Sequence, residues 1–197
     1  MNIGICGAHR TGKTSLAQGL AVALGIPFVR TSTSQVFQTW GLDPAQPLDF
    51  PTRLFIQNQV LNSAETIWQI AHQTTSQFIT DRTPIDMMAY TLGDIQGSTV
   101  VEEQALFAYL DRCWQLTNQF FGQLCIIPPA IPLVFESGKA ALNPAYIQHI
   151  HWLILGLCHD PRLRAQVILL PKHIVALPDR IKFVQEQLDC HFPPRAG

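Results

Sequence analysis

Charge is scarce in this sequence of 197 residues: Asp, Glu, Lys and Arg make up 14% of it, against about 25% in an average globular protein. Thirteen Lys and Arg oppose fourteen Asp and Glu, for a formal net charge of -1. No bulk positive field therefore exists to draw the chain onto nucleic acid or an anionic membrane, and any phosphate it binds has to be held locally. Long apolar runs are also missing. None reaches the ~18 residues of a membrane span, and the strongest, Ile150 to Cys158, is short and has His151 and His159 near its ends. Paired cysteines are absent as well. Cys6, Cys113, Cys125, Cys158 and Cys190 are scattered with no CxxC spacing, which argues for reduced thiols and against a disulfide framework or a zinc site. No basic leader precedes an apolar stretch; Met1 passes directly into Asn2-Ile3-Gly4-Ile5-Cys6, a strand pattern, so the mature chain is expected to begin here and to be cytoplasmic.

Apolar residues are plentiful, at 47%, and a chain of this length is expected to form one domain over 1–197 that buries roughly two-thirds of its unfolded surface. Disorder is excluded by the same composition. Short apolar runs alternate with longer stretches of helical period, the pattern of βα units around a mainly parallel sheet. Five strands are predicted: Asn2 to Cys6, Pro27 to Arg30, Gln77 to Asp81, Gln123 to Pro128 and Gln166 to Leu170. Helices are predicted over Thr14 to Leu24, capped by Gly25, and over Thr52 to Thr74. Thr83-Pro84-Ile85-Asp86 and Asn143-Pro144 both combine an N-cap residue with Pro at the first helical position, so helices should start there. Two more are expected from about Val101 to Phe121 and from about Pro178 to Cys190. Gly41 to Pro51 and Pro128 to Asn143 lack periodicity, and the second is a candidate lid over 129–142. Internal repeats are absent.

Gly7-Ala8-His9-Arg10-Thr11-Gly12-Lys13-Thr14 fits the G-x-x-x-x-G-K-[ST] pattern of a phosphate-binding loop, or Walker A motif. Its context agrees, because it follows a strand pattern and opens a helix through Thr14, Ser15, Leu16 and Ala17. The chemistry requires these residue types. Glycines let successive backbone N–H groups, including those of His9 and Thr11, turn toward one anion at a helix N-terminus, where the dipole favours negative charge. Lys13 can reach the β and γ phosphates of ATP, and the Thr14 hydroxyl can take a place on Mg²⁺.

A second signal is Phe78-Ile79-Thr80-Asp81-Arg82, a strand pattern ending in an acid–base pair just before a helix start. The carboxyl ends of strands face the ligand crevice in an open α/β sheet, so Asp81 and Arg82 are expected beside the phosphate loop. Asp81 there could hold Mg²⁺ through water or take an acceptor's proton, and Arg82 could clamp an acceptor phosphate. Asp94-Ile95-Gln96-Gly97 imitates the DxxG of GTPases, but Met87 to Leu92 before it reads as helix, and no NKxD is present for a guanine base.

Taken with Thr80-Asp81-Arg82-Thr83-Pro84-Ile85-Asp86-Met87-Met88-Ala89-Tyr90, the loop resembles that of the small P-loop kinases: thymidylate kinases, deoxynucleoside kinases, nicotinamide-riboside kinase domains and phage-type deoxynucleotide kinases. The resemblance implies a three-layer P-loop NTPase fold of class α/β, with a five-stranded mainly parallel sheet and a short lid. It implies that Asp81 and Arg82 work on the acceptor. Arg10 is similar to the loop arginine with which one class of thymidylate kinases steadies the transferred phosphoryl, while the lid, whose only cation is Lys139, is poor in arginine as in that class. One well-placed guanidinium can lower such a barrier by several kcal/mol; Arg10 is the first candidate and Lys139 the second. Arg180 falls where such kinases often line the adenine.

The acceptor is implied to lie between Asp81 and two segments, one carrying Arg30 and Ser32 and the other Arg53, Phe55 and Gln57. Arg53 could meet its 5′-phosphate, and Phe55 or Trp68 could stack on its base. The expected activity is Mg²⁺-dependent transfer of the γ-phosphoryl of ATP to a small nucleotide, foremost a deoxynucleoside monophosphate. A nucleoside, nicotinamide riboside or a modified base in DNA stays open as acceptor, as does a nucleotide-binding regulator or ATPase instead of a kinase. The expected partner is the small-molecule nucleotide, with a homodimer left open.

Overall fold

The computed structural model describes residues 2–43, 48–132 and 143–191. In chain order its elements are β1 (Asn2–Cys6), α1 (Lys13–Leu24), α2 (Thr33–Thr39), α3 (Phe50–Thr74), β2 (Ile79–Thr80), α4 (Pro84–Gly93), α5 (Glu103–Phe120), β3 (Phe121–Ile126), α6 (Pro144–Cys158), β4 (Gln166–Leu169) and α7 (Leu177–His191). The strands form one parallel sheet in the order β2-β1-β3-β4. Parallel pairing requires a crossover between neighbours, and the helices that make those crossovers cover both faces.

Alternation along the strands divides the core in two. Ile3, Ile5, Ile79, Cys125 and Ile168 pack with Leu16, Leu20, Val184 and Leu188 beneath α1 and α7. Cys6, Phe78, Leu124 and Ile126 turn the other way, onto Leu54, Trp68, Met87, Tyr109 and Ile150 of α3 to α6. Both faces of β1 are therefore dry, which is why its five residues read as one apolar run without a polar side. Its polar exception, Asn2, is satisfied: its amide donates to the Phe120 carbonyl at 2.8 Å and accepts from the Phe78 amide at 3.2 Å.

Among the described residues the sheet has four strands where five were expected. Pro27 to Arg30 is reduced to a single parallel bridge between Phe28 and Ile79, with the Val29 amide on the Ile79 carbonyl at 2.8 Å. Pro27 has no N–H for a ladder. Three residues beyond Val29, Ser32 already caps α2 by accepting the Gln35 amide, so no length is left for a strand. That short helix is an addition to the expected elements, although Ser32-Thr33-Ser34-Gln35 carries the S-x-x-Q capping pattern. Elsewhere the start signals hold. Asn143 caps α6, and Thr83 with Asp86 completes a capping box at α4. Gly25 ends α1 in the left-handed region. The candidate lid over 129–142 lies outside the described residues from 133 onward.

Gly4 sits where β1 passes directly beneath α4. A Cβ there would lie 2.5 Å from Thr83 Cγ2 and 2.9 Å from Leu124 Cδ2. Gly4→Ala is expected to cost roughly 1–3 kcal/mol as an overpacked core position, seen as a lowered midpoint in thermal or urea unfolding. An unchanged midpoint would mean that Thr83 is not held against the strand.

Candidate active site

The sequence Gly7 to Thr14 leaves the carboxyl end of β1 and enters α1. Gly7 must lie flat against the neighbouring strand, because a Cβ there would stand 3.0 Å from the Ile127 carbonyl and 3.0 Å from the Thr11 hydroxyl. Gly12, the N-cap of α1, has φ 86°, and Arg10 has φ 61°, the one non-glycine residue in the left-handed region among those described. Left-handed residues on either side of Thr11 curl the backbone so that its N–H groups face inward, the shape of an anion nest. Thr11 is buried and its hydroxyl donates to the Ala8 carbonyl at 2.8 Å, pinning the curl from inside. Lys13 folds back over the loop, its ammonium donating to the carbonyls of Gly7 at 2.7 Å and Ala8 at 2.9 Å. Burial lowers its pKa; Arg82 adds to the effect, while Asp86 and Asp81 oppose it.

Register explains why Asp81 meets this loop. Gly4 pairs with Thr80, so the residue after β2 emerges at the same end of the sheet as the residues after β1. There the Thr14 hydroxyl donates to Asp81 Oδ2. A hydroxyl and a carboxylate in contact at the mouth of a phosphate nest are hard oxygen donors suited to Mg²⁺, which keeps several waters and takes few protein ligands. No cluster of three or more His, Cys, Asp or Glu forms among the described residues. Thr14 and Ser15 are exposed at the mouth, and Arg82 is half-buried beside Asp81.

Residues from outside the motif hold the loop. Asp86 is buried and accepts from the Gly7 amide at 2.8 Å, the Thr83 amide at 3.0 Å and the Thr83 hydroxyl at 3.0 Å. Burial raises its pKa, against the pull of Lys13 and the Gly7 N–H. Cys6 Sγ lies 3.0 Å from the same Thr83 hydroxyl. One turn along α4, the Tyr90 hydroxyl accepts the His9 amide at 2.7 Å and lies 3.1 Å from His9 Nδ1, so the His9 N–H, expected to face the anion, is turned onto α4 instead. From the other side, the buried Arg180 guanidinium donates to the carbonyls of Thr11 and Ile174, both at 3.0 Å. In the sequence Asp86 and Tyr90 stood in the segment that carries the family resemblance, but nothing there assigned them to the loop.

Neither a protein-family model nor a curated protein matches the sequence. Solved structures do match. Deoxyadenosine kinase from M. mycoides, solved with the products dCMP and dCDP bound, superposes with a TM-score of 0.70 at 13% identity, over 96% of this chain and 100% of that one. Thymidylate kinase from Ehrlichia chaffeensis gives 0.63 at 16% identity, over 96% and 98% of the two chains. NadR protein, solved with NAD and AMP-PNP, gives 0.64 at 14% identity over 94% of this chain but only 48% of its own. The chain has the P-loop kinase fold. No helix among the described residues is long and apolar enough to cross a membrane.

The remaining expected site residues are not all brought together. Arg53 forms an ion pair with Asp94 at 3.0 Å, beyond the end of α4, and Gln57, one turn on, is buried on α3. Phe55 lies about 200° round the helix from Arg53. It is 42% exposed, packs edge-on against Trp40 at 4.8 Å, and lines a separate shallow pocket with Phe50, Leu54 and Ala105. Arg53 and Phe55 thus face different sides of α3, and Trp68, the other stacking candidate, is fully buried in the core against Phe120 and Phe121. Ser32 is engaged in capping α2, Arg30 is exposed just before it, and Lys139 lies outside the described residues. An aromatic group unforeseen in the sequence stands nearer the loop: the His9 ring lies 6.2 Å from Tyr90 and 6.0 Å from Tyr146.

A left-handed Arg costs roughly 1–2 kcal/mol that glycine does not. Arg10→Gly is therefore expected to unfold at higher denaturant than Arg10→Ala, by about 1 kcal/mol of stability. Equal midpoints would show that the nest relaxes when the side chain is cut back.

Proposed function

We propose that the chain, as one domain over 1–197, is an ATP-dependent nucleotide kinase that transfers the γ-phosphoryl group to a deoxynucleoside monophosphate. The observation that carries this reading is the contact between Thr14, at the exit of an anion nest, and Asp81, at the end of the adjacent strand. It joins a site for a triphosphate tail to a carboxylate on the acceptor side.

Each residue then has a task. Backbone N–H groups of the loop bind the phosphates, with Lys13 turning from the loop carbonyls onto the β and γ oxygens. Thr14 and Asp81 would hold Mg²⁺, which supplies charge neutralisation on the phosphate oxygens. Arg10 meets the charge that develops on the transferred group, and Lys139 is the alternative for that task. Ser15 extends the phosphate contacts, Arg180 borders the adenine end, and Arg82 orients the acceptor. An acceptor oxygen attacks the γ-phosphorus, the bond to the β–γ bridging oxygen breaks, and ADP leaves. A monophosphate acceptor brings an ionised oxygen, so no proton has to be removed, and catalysis rests on alignment and electrostatics. The likeness to deoxyadenosine and thymidylate kinases supports a small nucleoside or nucleotide as acceptor.

A nucleoside acceptor is the second reading, and one observation favours it: Arg53, the candidate for the acceptor phosphate, already has its charge matched by Asp94. Asp81 would then receive the hydroxyl proton.

Purified protein incubated with labelled ATP, Mg²⁺ and a panel of nucleosides and monophosphates is expected to release ADP in step with a monophosphate. Release that ignores every acceptor would favour a regulator or ATPase, and release with nucleosides alone would favour the second reading. Lys13→Ala is expected to abolish turnover. Arg10→Ala should lower kcat by about 10³-fold or more while ATP still binds; an unchanged kcat would transfer its role to Lys139. Arg53→Ala should raise the KM of a monophosphate and leave that of a nucleoside unaltered.

A further inference from the structure

A phosphate loop points several N–H groups at its ligand, and the others need partners elsewhere. In this chain two of those others are held by the side chains of one helix. The Gly7 amide donates to Asp86 Oδ1 at 2.8 Å and the His9 amide to the Tyr90 hydroxyl at 2.7 Å. Asp86 and Tyr90 are four residues apart on α4, so they share a face and are separated by about 6 Å along its axis. The two residues of chain from Gly7 to His9 can span at most about 7 Å, so the same helix face reaches both amides. Helix and loop edge thus run side by side, with a hydrogen bond at each end.

Both ties have fixed polarity. Burial keeps the Tyr90 hydroxyl protonated at any physiological pH, so while it accepts the His9 amide it has a proton for His9 Nδ1, 3.1 Å away. Asp86 takes three donors and can give none in its ionised form. The same carboxylate closes the capping box with Thr83, two residues beyond Asp81. A shift of Asp81 to Thr83 is therefore felt at Gly7 through one buried group.

We propose that Asp86 and Tyr90 are positioning residues for the donor site, a two-point rack on which α4 holds the leading edge of the phosphate loop in its anion-ready shape and keys it to the acceptor-side segment Asp81–Thr83. The consequence for ATP rests on the kinase reading above; the rack itself does not.

The test separates the two. In ligand-free protein, amide hydrogen exchange followed by NMR should quicken at least tenfold at His9 in Tyr90→Phe, with Gly7 changed less than threefold; Asp86→Ala, which removes the acceptor, should do the reverse. Tyr90→Phe keeps the ring and its packing, so it is the variant expected to stay folded. Its ATP dissociation constant, measured by calorimetry, should rise fivefold to tenfold, while the acceptor KM stays within twofold and the melting temperature within about 3 °C. Unchanged exchange at His9 would overturn the rack. Faster exchange with ATP affinity intact, or equal losses for donor and acceptor, would overturn its role as a donor-site positioner. Wild-type protein that binds no ATP would sink the kinase reading instead, and the exchange rates would still decide whether α4 holds the loop.

Discussion

A loop that aims its backbone N–H groups at one anion gives up the hydrogen bonds an ordinary turn would make, and the rest of this fold compensates for that surrender. Gly12 takes φ 86° freely, but the Arg10 backbone at φ 61° and the loop shape that goes with it persist only where the surroundings impose them. Three sets of side chains impose them here. Asp86 and Tyr90 hold two amides from α4, Arg180 holds the Thr11 carbonyl from α7, and Thr11 bonds across the loop to Ala8. The elements that hold the loop belong to both helical layers, so the two halves of the core meet at this one turn.

Electrostatics are local for the same reason. With so few charges in the chain, a phosphate cannot be gathered by a broad field and must be met by dipoles and a few cations at the crevice. Those cations are not idle while they wait. The Lys13 ammonium sits on loop carbonyls, and the Arg180 guanidinium holds those of Thr11 and Ile174. Asp86 contributes a buried negative charge beneath the loop that offsets the desolvation of Lys13, and its three donors in turn stabilise its own ionised form. Removing one member would leave another buried without compensation, which is the costly outcome for groups held away from water.

The parallel sheet converts these local arrangements into a crevice. Because β2 and β1 run in the same direction with Gly4 opposite Thr80, the segments leaving both strands emerge on the same side. Asp81 and Thr14 are far apart in sequence and touch in space for that reason alone. The close packing of Gly4 beneath Thr83 brings α4 down onto the loop, and a side chain there would lift the helix that carries the rack.

Much of this was legible in the residues. The G-x-x-x-x-G-K-[ST] spacing, the caps at Thr83-Pro84 and Asn143-Pro144, and the apolar runs of β1 and β3 depend on neighbours within a turn or two, so a linear reading reaches them. The acid–base pair after Phe78-Ile79-Thr80 could be placed by the general rule for parallel sheets. What the linear reading missed was non-local. Whether Pro27 to Arg30 extends the sheet was decided by how soon Ser32 begins a helix. Phe55 and Arg53 looked like neighbours in one pocket until the helical turn set them on different sides of α3. Asp86 presented itself as a helix cap and Tyr90 as one more helical aromatic, because the amides they accept come from a segment nearly eighty residues earlier in the chain. Sequence alone determined the anion loop and its helix, since glycine freedom and a helix N-terminus are properties of a few consecutive residues. Only the tertiary structure decided which side chains hold that loop, since a hydrogen bond between distant segments exists only after the sheet has set their register.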